Sequence, residues 1–333
     1  MIPKICKSQE NYDTTLDFAK PPSCFVDISF VVPCYNEETT LPFFYQEACS
    51  VLDKIELIKT AEFIFIDDGS TDDTLAVLKN FATQDGRVHY ISFSRNFGKE
   101  AALLAGLQAA HGQIVVTLDA DLQDPPSLIP QMFEAVISGE FDCAGTRRVS
   151  RKGEPPIRSF FARRFYSTMK KISDIEVVDG ARDFRLMNRK YVDAILSLPE
   201  RSRFSKGIFP WIGFKTKWFE YENIQRIAGD TKWSFWKLLL YSFDGIIAFS
   251  SKPLAIAGVM GILLFLISLV FICFIVIRRI VWGDPVDGWA STACIILFCS
   301  GIQLLTTGIL GQYLAKTYTE VKQRPQFVIR EAK

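Results

Sequence analysis

The chain has 333 residues, with 38 basic against 37 acidic side chains, and is 49% hydrophobic at a mean hydropathy of +0.15. The near-cancelling charge gives no global field for nucleic acid, and the hydropathy is high for a wholly soluble protein, so part of the apolar content is expected in a membrane. Eight cysteines without a C-x-x-C pair, and only two histidines, His89 and His111, argue against a zinc site or a histidine-based nucleophile relay.

Residues 1–26 turn polar at once and offer no apolar core for a signal peptide, which suits a leader on the cytosolic side. From residue 27 to about 148, β-branched runs alternate with helix-like stretches. Strands are predicted at Ile28–Pro33, Glu62–Ile66, Val88–Phe93, Ile114–Leu118 and Asp142–Gly145, with helices near 40–58, 72–83, 98–110 and 127–138. Such a βα repeat makes a Rossmann-like layer, and ligands in these layers sit at the carboxyl ends of the strands. Polar clusters fall at those ends: CYNEE, DDGSTDD, SRNFGKE and DADLQD, after the first four strands in turn.

From Arg147 to Lys171, nine basic residues face only Glu154, and Ile157, Phe160, Phe161, Phe165, Tyr166 and Met169 interleave at helical spacing. That pattern fits an amphipathic helix on a membrane surface, or a solvated face over an ordinary core. A second interfacial stretch is expected at 233–252, where Trp, Phe, Tyr and Leu are dense. Leu254–Ile277 is free of charge and long enough to span a hydrocarbon core of about 30 Å, and 289–315 is a second such run. The loop between them holds Gly283, Asp284 and Pro285, as a helical hairpin needs. Lys237 and Lys252 before it, with Lys316, Lys322, Arg324, Arg330 and Lys333 after it, outweigh Arg278 and Arg279 in the loop. Both ends of the chain, including the basic tail, 316–333, are therefore expected on the cytosolic side.

No G-x-G-x-x-G or Gly-Lys-Ser/Thr loop is present, so a diphosphate must be held by other means. Asp119, Asp121 and Asp124 follow the fourth strand, and Asp67 and Asp68 the second. Clustered carboxylates of this kind suit Mg²⁺ or Mn²⁺ completed by substrate phosphates; alone, an Asp-x-Asp reads first as a solvated acidic turn, and its place at the fourth strand end beside Asp67 and Asp68 turns the reading to a metal. Asn36 and Ser70 fit turn or capping roles, and Lys99 a helix-surface charge.

Taken together, PCYNEE, IDDGSTDDT, FSRNFGKEAAL, LDADLQDPP, DFRLMNR and RIAGDTKW occur in the order seen in family-2 glycosyltransferases. The chain most resembles the bactoprenol glucosyltransferases, relatives of the dolichyl-phosphate mannose synthases, over about 27–330. The resemblance implies a GT-A catalytic domain over 27–232, with a Rossmann-like mixed sheet, followed by interfacial helices and a two-helix transmembrane hairpin. It implies that Pro33, Tyr35, Asn36, Glu37 and Asp68 line a nucleoside pocket, with Asp67 and Lys99 beside them. It further implies that Asp119, Asp121 and Gln123 hold the metal and, through it, the diphosphate, and that Arg147, Arg164, Arg226 and Lys232 meet an acceptor phosphate. Asp183 stands at the family's base position. One departure is Arg182, where the family pattern has glycine.

The implied reaction is inverting transfer of glucose from UDP-glucose to polyprenyl phosphate, with another UDP-sugar or a modified arabinose as alternative donor. A phosphate monoester has a second pKa of about 6, so the acceptor needs little help in losing a proton. Asp183 is accordingly expected to position groups or to take a residual proton. A processive polysaccharide synthase would carry Q-x-x-R-W, whereas Gln225 and Arg226 are adjacent here. A non-catalytic, membrane-anchored nucleotide-binding scaffold is the reading from another class, against which the intact acidic and basic motifs count. The expected partners are the donor, the lipid acceptor and the bilayer, and the apolar interfacial segments would also suit a homo-oligomer.

Overall fold

The computed structural model describes residues 26–149, 178, 180–222, 252–282 and 288–333. The leader up to residue 25, the basic amphipathic stretch from residue 150 and the interfacial stretch at 233–251 lie outside the described residues, as do Arg164, Arg226 and Lys232.

The β-branched and aromatic runs become β1 (Ile28–Cys34), β2 (Ala61–Asp67), β3 (Val88–Phe93) and β4 (Ile114–Thr117). After them come α1 (Leu41–Leu52), α2 (Thr74–Gln84), α3 (Lys99–Ala109) and α4 (Ile129–Ile137). These four strands are parallel, β1 lying between β2 and β4. Because both faces of β1 are covered, its sequence is a continuous apolar run rather than an alternation. On one face Phe30 stacks on Phe63 with ring centroids 4.8 Å apart, next to Phe44 and Phe65. On the other face Val31, Ile64 and Ile66 pack with Ala102, Ala105, Tyr191 and Phe209.

Beyond β5 (Cys143–Arg148) the chain adds four elements absent from the predicted set: β6 (Ala181–Asn188), α5 (Arg189–Leu196), α6 (Ser205–Trp211) and β7 (Thr216–Tyr221). Strand β6 runs antiparallel between β4 and β5, and β5 is parallel to β7. The sheet is therefore mixed, with eight strands among the described residues in the order β7-β5-β6-β4-β1-β2-β3-β8, the last being Ile329–Ala332.

Two long helices follow, α7 (Lys252–Trp282) and α8 (Trp289–Lys322), and they pack against each other. Among the described residues no helix is long and apolar enough to cross a membrane. Many side chains of α7 and of the first half of α8 lie outside the described set, so the expected spans there rest on the sequence. The described apolar side chains of α7 are largely exposed, Val259, Ile262, Leu266, Val270 and Phe274 among them.

Residues 316–333, read as a basic tail, are built into the catalytic part. Lys316 to Lys322 continue α8, where Glu320 accepts the backbone N–H groups of Arg201 (3.0 Å) and Ser202 (2.9 Å). The last strand, β8 (Ile329–Ala332), pairs antiparallel with β3. A β-strand signal of four residues, half of them charged, is too short to stand out from sequence.

Helix α3 rests on the sheet through Gly106. A methyl group there would sit on Val31 Cγ1 and only 2.7 Å from Ile66 Cδ1. Gly106→Ala is thus expected to overpack this interface and destabilise the fold by about 1–3 kcal/mol, read as a lowered Tm; an unchanged or raised Tm would show that the helix shifts freely.

Candidate active site

The carboxyl ends of β1 to β4 and the amino end of β6 meet at one edge of the sheet, which brings together residues far apart in sequence. Lys99, at the start of α3, places its Nζ 2.7 Å from Asp119 Oδ1 and 2.7 Å from Asp183 Oδ2. Thr117 Oγ1 donates to the Asp183 carbonyl at 2.6 Å and fixes β6 against the end of β4. Desolvation opposes the Lys99 charge, but Asp119 and Asp183 outweigh it and hold the ammonium above the ordinary lysine range. For Asp183, burial pushes the carboxyl up, yet Lys99 and then Lys206 more than reverse this and hold it well below the usual carboxylate range. The Lys99 side chain is 40% exposed, so solvent screens part of this attraction. Glu100, the next residue, accepts the Ser205 backbone N–H at 3.0 Å and so sets the start of α6, from which Lys206 reaches Asp183.

The turn after β4 is constrained. Asp121 is 8% exposed, and its Oδ1 accepts the Gln123 backbone N–H at 3.1 Å. Between them Leu122 adopts φ +55°, a left-handed conformation that costs a branched residue of this kind of order 1 kcal/mol or more and persists only where the surroundings enforce it. Asp124 supplies much of that enforcement. It is 1% exposed, accepts Arg182 Nε at 3.0 Å and also accepts the Tyr221 hydroxyl. Arg182 thereby ties the turn to β6, with β7 contributing Tyr221. The glycine needed for close approach nearby stands at 180, with φ +76°, where a side chain would collide with the Arg148 carbonyl.

A second group of polar residues gathers across β1 and β2. Pro33, Tyr35, Asn36 and Glu37 are half-buried on β1 and the loop after it. That loop is laced to the one after β2: Asn36 N–H donates to Ser70 Oγ (3.0 Å), Thr71 N–H to Asn36 Oδ1 (2.8 Å) and Glu37 N–H to Thr74 Oγ1 (2.8 Å). Asn36, at φ +54°, is the second left-handed residue of the site. Asp67 is fully buried, accepting Ser70 N–H at 2.9 Å and the Ser92 hydroxyl at 2.7 Å. Asp68 turns the other way and accepts the N–H groups of Phe97 (2.7 Å) and Gly98 (3.0 Å). Burial raises its pKa, and those two N–H groups partly offset the rise. Gly69 is required between the two: at φ +67°, a side chain would strike the Arg95 backbone.

The sequence reading put Asp67, Asp68, Lys99, Asp119 and Asp121 in polar clusters at the carboxyl ends of strands and took Asp183 from the family resemblance; in the structure Lys99 contacts both Asp119 and Asp183. Of the four expected acceptor-phosphate cations, Arg147 is described; it lies at the end of β5, beside β6, and pairs with Glu220. Sequence reasoning grouped Asp124 with the metal-suited carboxylates and counted Arg330 among the charges of the tail, and it assigned no role to Tyr221, Ser92 or Lys206; the contacts that define Asp124, Tyr221 and Arg330 here run through strands it had not predicted. Among the described residues, no three His, Cys, Asp or Glu side chains form a ready-made metal cluster. Asp119, partly exposed, and Asp121, mostly buried, are hard-oxygen donors on one turn, which suits a cation bound by one or two carboxylates and completed by substrate phosphates.

Comparison with known proteins places this architecture. The sequence profile described as Glycosyl transferase family 2 matches residues 29–196. The putative glycosyltransferase CsbB of Bacillus subtilis is 40% identical over 305 residues, covering 92% of each chain. The prophage bactoprenol glucosyl transferase homolog of Escherichia coli K12 is 39% identical, over 92% of this chain and 99% of its own. An uncharacterized glycosyltransferase of Synechocystis is likewise 39% identical, over 92% and 95%. The solved glucosyl-3-phosphoglycerate synthase of Mycobacterium tuberculosis is 22% identical over 67% of this chain and 78% of its own, with a TM-score of 0.43, too loose a likeness to bear on the site. With the profile spanning half the chain and these relatives spanning nine-tenths of it, the protein belongs to glycosyltransferase family 2.

Proposed function

We propose that this glycosyltransferase moves glucose from UDP-glucose to a polyprenyl phosphate at the cytosolic face of a membrane, with inversion at the sugar. The observation that carries the reading is the convergence of Asp119, Asp183 and Lys99 within hydrogen-bond distance across 84 residues of sequence, at the edge where β4 and β6 meet. The names of the E. coli relative and of its Shigella phage counterpart, each a bactoprenol glucosyl transferase, support the acceptor and the sugar.

In this reading the laced loops after β1 and β2 hold the nucleoside, and Asp119 and Asp121, with Gln123, hold Mg²⁺ or Mn²⁺. Bound there, the cation would neutralise the charge that builds on the departing nucleoside diphosphate. Lys99 and Asp183 flank the same space. The acceptor phosphate, largely dianionic at neutral pH, attacks the anomeric carbon from the side opposite the leaving group, and a single displacement inverts the configuration. Arg147 is placed to meet it, with Arg164, Arg226 and Lys232 as further cations. Held ionised by Lys99 and Lys206, Asp183 is a poor proton acceptor and better suited to fixing Lys99 and the incoming groups.

We also read α7 and α8 as the membrane hairpin. The 24 residues Leu254–Ile277 carry no charge and at ~1.5 Å per residue extend about 36 Å, against a hydrocarbon core of about 30 Å. Because Glu320 ties the end of α8 to Arg201 and Ser202, the catalytic part lies on the same side as that end. A soluble acceptor would not require this anchor, whereas a polyprenyl chain stays in the bilayer with its phosphate at the surface.

Incubating membranes containing the protein with a panel of labelled nucleotide-sugars and polyprenyl phosphate is expected to give a lipid whose mass corresponds to a glucosyl phosphodiester; no lipid-linked product from any donor would support a scaffold instead. Asp121→Ala is expected to remove metal-dependent transfer, and full turnover in excess chelator would defeat the metal assignment. For Asp183→Asn, kcat is expected to fall by about 10- to 100-fold without a change in the shape of the pH profile above pH 6; complete loss at every pH would establish an essential base. Arg182→Ala frees the Asp124 carboxylate and is expected to weaken Mn²⁺ dependence about tenfold, whereas an unchanged metal titration would leave the turn independent of that clamp.

A further inference from the structure

The last strand brings a cation to the donor side of the cleft from outside the segment that carries the family match, residues 29–196. Strand β8 docks on β3 by reciprocal backbone bonds between Tyr90 and Lys333, at 3.1 and 3.0 Å, and by Ser94 N–H donating to the Val328 carbonyl at 2.9 Å. Phe327 stacks on Phe93 with ring centroids 4.9 Å apart. Outside the cleft, Lys79 of α2 pairs with Glu331 at 2.7 Å.

Arg330 lies between these anchors. Its Nη2 donates to Ser92 Oγ at 3.0 Å and stands 3.9 Å from Asp67 Oδ2. The Ser92 hydroxyl, accepting from Arg330, donates to the same Asp67 oxygen at 2.7 Å. Through its other oxygen Asp67 accepts Ser70 N–H at 2.9 Å, and Ser70 Oγ accepts the Asn36 backbone N–H at 3.0 Å. Burying a carboxylate is costly without donors and a nearby positive charge; Ser92 and Ser70 supply the donors, and the Arg330 guanidinium brings the charge and orients the Ser92 hydroxyl at the far end of this chain of bonds. Asn36 at the near end is held in a left-handed conformation, which relaxes when its partners loosen.

We propose that Arg330 is a positioning residue for the donor nucleoside: acting through Ser92 and Asp67, it holds the loops after β1 and β2 in the arrangement that binds a nucleoside diphosphate. This rests on the reading that those loops form the nucleoside pocket. The test is calorimetric titration of the full-length protein with UDP in the presence of Mn²⁺, with donor KM and kcat measured alongside. Arg330→Ala is expected to weaken UDP binding and raise donor KM about five- to tenfold, with kcat at saturating donor kept within about twofold. Arg330→Lys is expected to recover most of the affinity. Lys79→Ala, which removes the outer ion pair of the same strand, is expected to leave UDP binding unchanged.

Failure of the unaltered protein to bind UDP would sink the nucleoside-pocket reading itself. Normal UDP binding by both proteins, unaltered and Arg330→Ala, would leave that reading standing and overturn the role of Arg330. An equal loss in Lys79→Ala would also overturn it, by showing that strand docking alone matters. If Arg330→Ala does not fold, Arg330→Gln keeps a donor toward Ser92 without the charge. An affinity loss in that variant at normal Tm supports the proposal, and unchanged affinity rejects it.

Discussion

Six carboxylates crowded at one sheet edge repel one another, and the site exists because cations and N–H groups are arranged to answer them. Lys99 faces Asp119 and Asp183 at once, Arg182 faces Asp124, and Arg330 approaches Asp67, while Asp68 is met by two backbone N–H groups. Each pairing joins elements that are distant in sequence, so the electrostatic solution is also the tertiary solution: neutralising the edge is what locks α3, β6 and β8 to the central strands. An isolated surface ion pair contributes little, but several that share members and sit partly out of water hold geometry well.

The division of labour among these carboxylates follows from how deeply each is committed. Asp67 and Asp68 commit their oxygens to neighbouring backbone and serine groups and shape the loops after β2 and β3. Asp124 gives one oxygen to both Arg182 and Tyr221 and stiffens the turn. Asp119 and Asp183 share the partly exposed Lys99, so they are less committed than these three. Of the three left-handed non-glycine residues described, Asn36 and Leu122 fall in loops at this edge, where local strain is preserved by surrounding bonds.

Much of the sheet was legible from sequence because β1 to β4 are short apolar runs, each ending in a polar cluster. A doubly covered parallel strand has no other way to be written, and its carboxyl end is where ligands sit. The motifs thus announced the edge, and Asp183 was reached through the family resemblance. Less was legible wherever meaning depended on an unpredicted neighbour. Strand β6 carries two arginines and an aspartate in ARDFRLMN, a poor strand by composition, and forms because β4 and β5 hold it from both sides. Arg182 looked like a departure until Asp124 and Tyr221 were seen beside it. Helix α6, seven residues with an internal proline, gives no periodic signal. The stretch after residue 315 read as a charged tail because alternating charge and apolar residues over four positions cannot be told from a loop.

Helix α8 is fastened twice, first through Glu320 to the backbone of Arg201 and Ser202, then through the strand that follows it. The closing turns of α8 and the strand after it are thereby stitched into the sheet at its outer margin, so a rearrangement of the two long helices is mechanically coupled to β3.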